Sequence, residues 1–373
     1  MRCKKIICLL LVIATMVTAF AGCGEKNQDI FDTTTIKFTN AQLNEIDSQV
    51  DDILTVNDYY GAARVKLNKN DVYSNYSGFE NNLGKKINEN TVFHGGSLTE
   101  IFTGISIYKL IDQKKISFDT PLSQFFNGGD YLSKITINHL LNNTYCFKSY
   151  FKSVSENEKL AKKIAAAYKK NDDERIKRLV AAEIIANGLG SSKDSFESNY
   201  YILGLIIEKV TGKSYKQFIK SEFIDKLDLK NTGFIVSGGK LKCFDMNNNI
   251  WRSQRDLKSL GSYGFWFSTY GITTSADDVV KLCSAILDET LCKTDFIKNI
   301  KSNNHCGINR SGRYLVATSR TYLGAAYVRM NPEDLETVVL ISNYTGRTDV
   351  SETGKKIAQT INTKINGIIL DSN

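Results

Sequence analysis

Apolar positions recur along most of the chain with one of two periods, and these divide it into elements. Leu43, Ile46, Val50, Ile53 and Leu54 fall at helical spacing and predict an amphipathic helix. Residues 61–67 and 72–76 alternate and predict two strands, joined as a hairpin by Asn68-Lys69-Asn70-Asp71. Leu98, Ile101, Ile105 and Tyr108 make a buried stripe on a helix that runs from the Gly95-Gly96 turn to about Ile111. A connection over 116–121 leads to a short helix starting within 135–141. Charged residues dominate 152–190, yet Leu160, Ile164, Ile176, Leu179 and Ile184 keep a helical period, which predicts a helical subdomain with solvated, Lys-rich faces. Residues 201–210 form a second apolar helix closed by Thr211-Gly212, and 275–286 a third opened by Ser275-Ala276-Asp277-Asp278. Three strand candidates follow, at 314–317, 325–330 and 337–342. Ile357, Ile361, Ile365 and Ile368 then mark a closing amphipathic helix. Strands at both ends with helices between them predict an α+β domain over 41–373. It is an antiparallel sheet flanked by helices, with a helical subdomain inserted at about 122–260.

The start of the chain sets the compartment. Arg2, Lys4 and Lys5 precede an apolar run over 6–19 that is too short and wrongly flanked to span a membrane. It ends Phe20-Ala21-Gly22-Cys23, a small-residue cleavage site followed by cysteine. This resembles a bacterial lipoprotein signal over 1–22, in which Cys23 becomes the lipidated first residue; a plain secretory signal is the alternative. Polar, Thr-rich residues 23–40 read as a tether. The implied address is the outer face of a bacterial cytoplasmic membrane, held there by the lipid.

Charge and cysteine content narrow the rest. The formal charge is +8, or +5 once residues 1–22 with their three basic and no acidic side chains are removed. No basic run is dense enough to suggest nucleic acid. Five of the eight cysteines lie beyond Cys23, an odd number without paired spacing, which argues against a disulfide framework and against a zinc site. No cofactor or metal is expected, and His94, His139 and His305 are too scattered to form a catalytic or metal set.

The candidate chemistry sits at Thr91-Val92-Phe93-His94-Gly95-Gly96-Ser97-Leu98-Thr99-Glu100. A Gly-Gly turn delivers Ser97 to a helix start, in the field of the helix N-terminus and beside free backbone N–H groups. That suits a nucleophile; an ordinary N-cap is the alternative.

In that setting the chain resembles the serine β-lactamase and penicillin-binding-protein-like hydrolases, in the branch of class C β-lactamases and D-alanyl-D-alanine carboxypeptidases. The likeness rests on the Phe93–Ser97 segment with its helix, on Lys115-Ile116-Ser117-Phe118-Asp119-Thr120-Pro121-Leu122, and on Ile135-Thr136-Ile137 through Leu140-Leu141-Asn142-Asn143-Thr144. It continues in Tyr201-Ile202-Leu203-Gly204-Leu205-Ile206-Ile207-Glu208 and in Asn331-Pro332-Glu333-Asp334 with residues 338–343. The resemblance implies an acylated serine, a lysine one helical turn on as proton acceptor, a tyrosine relay, and a Lys-Thr-Gly or His-Thr-Gly strand that grips the substrate.

All three motifs are altered. Glu100 stands where the Ser-x-x-Lys lysine belongs. The Tyr-x-Asn motif falls on Ser195 and Glu197, or with a two-residue deletion on Glu197 and Asn199. Neither register has a tyrosine, and Asn199 either positions a substrate carbonyl or is a turn residue before a helix. Thr318-Ser319-Arg320 stands in place of Lys-Thr-Gly, so the cation and the glycine are gone and Ser319 keeps a hydroxyl. Tyr73-Ser74-Asn75, Ser106-x-x-Lys109 and Ser149-x-x-Lys152 match the motifs by chance. Loss at three separate motifs implies a catalytically impaired member that binds a peptidoglycan or D-alanine-containing ligand, or a protein partner. The alternative is an active hydrolase of D-alanyl esters or peptides using Ser97, with Glu100 or Glu197 as base.

Overall fold

A computed structural model describes residues 39–67, 70–190, 196–236, 241–253, 262–293, 295–300, 305–346 and 348–371, and side chains as far as Lys364. The signal, Cys23, most of the tether, Ser195 and the first half of the hairpin turn therefore lie outside the described residues.

The central sheet has six antiparallel strands: β1 (Gly61–Leu67), β2 (Asn70–Ser77), β3 (Asn309–Ser311), β4 (Tyr314–Thr321), β5 (Gly324–Asn331) and β6 (Glu336–Ser342). Their order is β2-β1-β6-β5-β4-β3, so the N-terminal hairpin is welded to the C-terminal meander through β1 and β6. Val65 pairs with Val338 and Val328 with Val339. Every residue of β6 is buried, which requires cover on both faces, and its run Thr337-Val338-Val339-Leu340-Ile341, β-branched except at Leu340, suits such a strand.

Helices supply that cover. α1 (Asn40–Val56) and the closing helix, packed on each other, lie against the sheet, as does the helix that follows Ser275. Numbered in chain order, the remaining helices used below are α2 (Leu98–Asp112), α3 (Tyr150–Glu156), α4 (Glu158–Tyr168), α5 (Asp173–Asn187), α6 (Glu197–Thr211), α7 (Tyr263–Tyr270), α8 (Ala276–Leu287) and α9 (Val350–Asp371). Local chemistry sets their ends. Thr39 and Gln42 form a capping box at α1, the Ser275 hydroxyl accepts from Asp278 N–H at α8, and Gly212 closes α6 in the left-handed region at φ 67°.

α2 is the centre of the molecule. Twelve of its fifteen residues are buried, so it is core on all sides, with α6 and α7 packed against it. Three features go beyond the periodicity. α6 starts at Glu197 rather than 201, because its first turn, Glu197-Ser198-Asn199, is polar yet buried. β4 runs on through Thr321 and so carries Thr318, Ser319 and Arg320. α7 is built from an aromatic-rich run, Tyr263-Gly264-Phe265-Trp266-Phe267-Ser268-Thr269-Tyr270, that has no period to read. Two small sheets complete the fold: Phe93–His94 with Ile272–Thr274 and Gly233–Phe234, and Lys242–Asp245 with Ile250–Ser253 and Tyr344–Thr345. The second lies partly within the stretch read from the sequence as helical.

Candidate active site at Ser97

The turn before α2 is fixed from two sides. Gly95 N–H donates to Ile272 O at 2.9 Å. Gly96 sits at φ +54°, and a Cβ there would lie 2.1 Å from Ser319 Oγ, so only glycine fits. Ser97 follows, half-buried, and its own N–H donates to Ser319 Oγ at 2.9 Å. Its hydroxyl makes no capping hydrogen bond. The polar neighbour of that hydroxyl is instead the phenol of Tyr270.

Tyr270 comes to Ser97 because α7 is stitched to its surroundings on both sides of it. The Thr103 hydroxyl donates to Ser268 O at 2.6 Å, and Ile272 N–H donates to Thr99 Oγ1 at 3.1 Å. His94 Nε2 lies 2.8 Å from Tyr270 O, so Nε2 carries the proton and donates, and Nδ1 accepts from the Thr321 hydroxyl at 2.9 Å. That neutral tautomer is consistent with burial, which pushes the imidazole down to about 4. Within α7, Phe267 breaks the helix at φ 36°, ψ −126°.

The same stitching brings α6 in. The Ser268 hydroxyl donates to Tyr200 O and the Thr269 hydroxyl to Glu197 O, each at 2.9 Å. Glu197 is 1% exposed; its Oε1 accepts from the Ser149 hydroxyl, and its Oε2 has no hydrogen-bond partner among the described residues. Glu100 lies one turn along α2 from Ser97 and is 4% exposed. Gly307 closes over it at φ +73°, where a Cβ would sit 2.9 Å from Glu100 Cβ, and Gly307 N–H is held by the Tyr200 hydroxyl at 2.9 Å. Burial first, and then the charge of Glu197, hold the Glu100 carboxyl well above the usual carboxylate range. The Tyr270 phenol is pushed up by burial and by the charges of Glu100 and Glu197, an effect that Ser97 partly offsets. Ser97, Glu100, Glu197 and Tyr270 thus form one cluster.

The other sequence candidates are placed around it. Asn199 is fully buried and its amide is taken up: Oδ1 accepts from Phe147 N–H at 3.1 Å, and Nδ2 donates to Asn143 Oδ1 at 3.0 Å and Tyr145 O at 2.9 Å. Ser319 faces Ser97 from β4. Thr318 is on the opposite face and exposed, and Arg320 is exposed, reaching Gly346 O at 3.4 Å. Of the chance matches, Tyr73 lies in β2, Ser106 donates to Phe102 O within α2, and Ser149 caps α3 while holding Glu197. Lys109 pairs with Glu222 and Lys152 with Glu156, both away from Ser97. No group of three metal-ligating side chains occurs among the described residues.

The site thus comprises a serine at the start of a buried helix, a second helix opening on the Glu197-Ser198-Asn199 turn and a β-strand bordering the serine. The model of the family described as Beta-lactamase matches residues 48–364. The chain belongs to that family. Within the Beta-lactamase family it is similar to Protein flp of Staphylococcus aureus (strain MW2), 25% identical over 252 residues that make up 65% of this chain and 48% of flp. It is also similar to the teichoic acid D-alanine hydrolase of Staphylococcus aureus, 27% identical over 177 residues, 47% of this chain and 39% of that enzyme. The chain thus matches at most about half of the length of either. Among solved structures it resembles the penicillin binding protein from Bacillus halodurans, with a TM-score of 0.66 at 18% identity, covering 84% of this chain and 99% of that one.

The sequence reading did not include Tyr270. The only signal for it is the aromatic run Tyr263-Gly264-Phe265-Trp266-Phe267-Ser268-Thr269-Tyr270, whose place beside Ser97 depends on hydrogen bonds to Thr99, Thr103 and His94, distant in sequence.

Proposed function

We propose that the chain is an envelope lipoprotein whose Ser97 site binds a D-alanine-containing cell-wall ligand or a protein partner and has lost efficient hydrolysis. The observation that carries this reading is that the groups beside Ser97 are a buried carboxyl, Glu100, and a phenol, Tyr270, in place of an amine. Glu100 replaces an amine with a buried carboxyl raised by its surroundings. Tyr270 supplies a hydroxyl, but a phenol raised first by burial and then by its acidic neighbours is a hydrogen-bond donor and not a base. The Ser97 N–H, which would have to face a developing oxyanion, already donates to Ser319 Oγ. A positioned base contributes about 10²–10⁴ in rate, so its loss would by itself remove efficient hydrolysis.

The ligand class is supported by the name of the teichoic acid D-alanine hydrolase relative. The anchor is supported by the signal and Cys23, which would place the domain on the outer face of a bacterial cytoplasmic membrane. The alternative, an active D-alanyl hydrolase, is favoured by one feature: the Ser97 hydroxyl is not spent on capping and has a phenol beside it. Turnover of a D-alanyl ester and of a D-alanyl amide by the purified protein separates the two. We expect wild type and Ser97→Ala to match the uncatalysed rate. Turnover by wild type that Ser97→Ala abolishes would establish the hydrolase.

A further inference from the structure

A cavity of about 630 Å³ opens away from Ser97, at the far end of α2. One wall is Tyr108, eleven residues and so about 16 Å further along the helix. Asn138, His139 and Asn142, on and just after the short helix Ile137–Leu141, make a second wall, and His305 a third. The volume is that of a small-molecule site. No lysine, arginine, aspartate or glutamate is among the described residues that line it, so a charged ligand would meet no counter-charge there.

The polar groups of these walls form one directed chain. Asn142 Oδ1 can only accept and lies 2.8 Å from His305 Nδ1, so Nδ1 carries the proton, and His305 Nε2 accepts from the buried Tyr108 hydroxyl at 2.7 Å. The Asn299 side chain, also in the lining, bonds the same phenol. Asn142 Nδ2 donates to Asn138 Oδ1 at 2.7 Å, which leaves Asn138 Nδ2 with no partner among the described residues. His139 Nδ1 accepts from Thr136 N–H at 3.1 Å, so its Nε2 carries the proton, again with no partner among the described residues. Two donors are thus fixed in place and open to the cavity, which lowers the ordering cost of binding. Beside them stands Tyr145, a lining residue that is 46% exposed, with its ring 4.7 Å from that of His139.

These groups suit an uncharged ligand that offers several oxygens and one apolar face. A hexopyranose has both: hydroxyls that accept and donate, and a C–H face for an aromatic ring. A flat base would call for a stacking slot between ring faces, whereas Tyr145 and His139 meet edge to face at 63°. An extended peptide would call for a strand edge, and the wall at 137–141 is a helix.

We propose that this cavity is a saccharide site that takes one uncharged hexopyranose unit, with its hydroxyls on Asn138 Nδ2 and His139 Nε2 and its C–H face on the Tyr145 ring. The site is separate from Ser97 and stands or falls without it.

The test is saturation-transfer NMR titration of the full chain with the methyl glycosides of D-glucose, D-galactose, D-mannose and N-acetyl-D-glucosamine. Methyl D-glucuronide, adenosine and tri-alanine are the contrasting probes. At least one neutral glycoside should bind with about millimolar strength, with transfer strongest to the C–H protons of one ring face, and the charged glucuronide should bind more weakly than the glucoside. Asn138→Ala and Tyr145→Ala, both at exposed positions, should each weaken that binding about threefold to tenfold. No binding of any neutral glycoside overturns the proposal, as does binding that either variant leaves unchanged. Adenosine or tri-alanine binding as tightly as the best glycoside also overturns it, and makes the cavity a site for a base or a peptide.

Discussion

Replacing Glu100 by glutamine should stabilise the protein by an amount that grows with pH. The folded carboxyl is raised and the unfolded one is near 4.5, so above that pH unfolding releases a proton. The contribution of Glu100 is therefore fully present below 4.5 and is lost as pH rises through the folded value. Within that interval the loss is about 1.4 kcal/mol per pH unit, and at 4% exposure solvent does little to screen it. Glutamine keeps the volume and has no charge to lose. His94 works in the opposite direction: burial lowers it from 6.5 to about 4, so its contribution is present above 6.5 and is lost as pH falls through 4. The slope for wild type alone mixes the two, whereas the difference between variant and wild type isolates Glu100. Urea unfolding at pH 5, 6 and 7 measures it. With a denaturant slope of about 3 kcal/mol/M, the midpoint advantage of Glu100→Gln should grow by up to roughly half a molar per pH unit until the folded carboxyl ionises, and then level off. An advantage that stays constant with pH, or that shrinks as pH rises, would refute the reasoning.

Three further outcomes follow from the same geometry. Replacing His94 by glutamine should flatten the acid side of the stability profile, removing about 3 kcal/mol of the change between pH 6.5 and 4, read from urea midpoints in that range. Gly96→Ala should cost about 1–3 kcal/mol through its left-handed backbone and its overlap with Ser319, and Ser319→Ala should return part of that loss in the double variant. Thr103→Val should cost about 1–3 kcal/mol, because Ser268 O and the Tyr215 hydroxyl lose a buried partner; thermal unfolding reads it.

The periodic elements were legible because burial imposes period. The stripe of α2, the hairpin of β1 and β2 and the strands β4 to β6 all declare themselves in apolar spacing, and so does the family fold they build. Ser97, Glu100 and Glu197 stand out in the sequence through segments that resemble family motifs, and the structure brings the three into one cluster. What they touch was not legible. Asn199 reads as an amide beside a helix, but its three partners lie more than fifty residues away in sequence. Tyr270 is invisible for a related reason: an aromatic run has no face to assign, and its place follows from hydroxyls on α2 that bind the backbone on either side of it. The two- and three-residue strands of the small sheets carry too few positions to show a period.

The most direct test of whether Ser97 lacks a base is intact-mass measurement of the purified protein after incubation with a fluorescent penicillin, alongside Ser97→Ala. The proton-acceptor argument predicts the same unmodified mass for both. A covalent penicilloyl adduct on wild type that is missing from Ser97→Ala would contradict it.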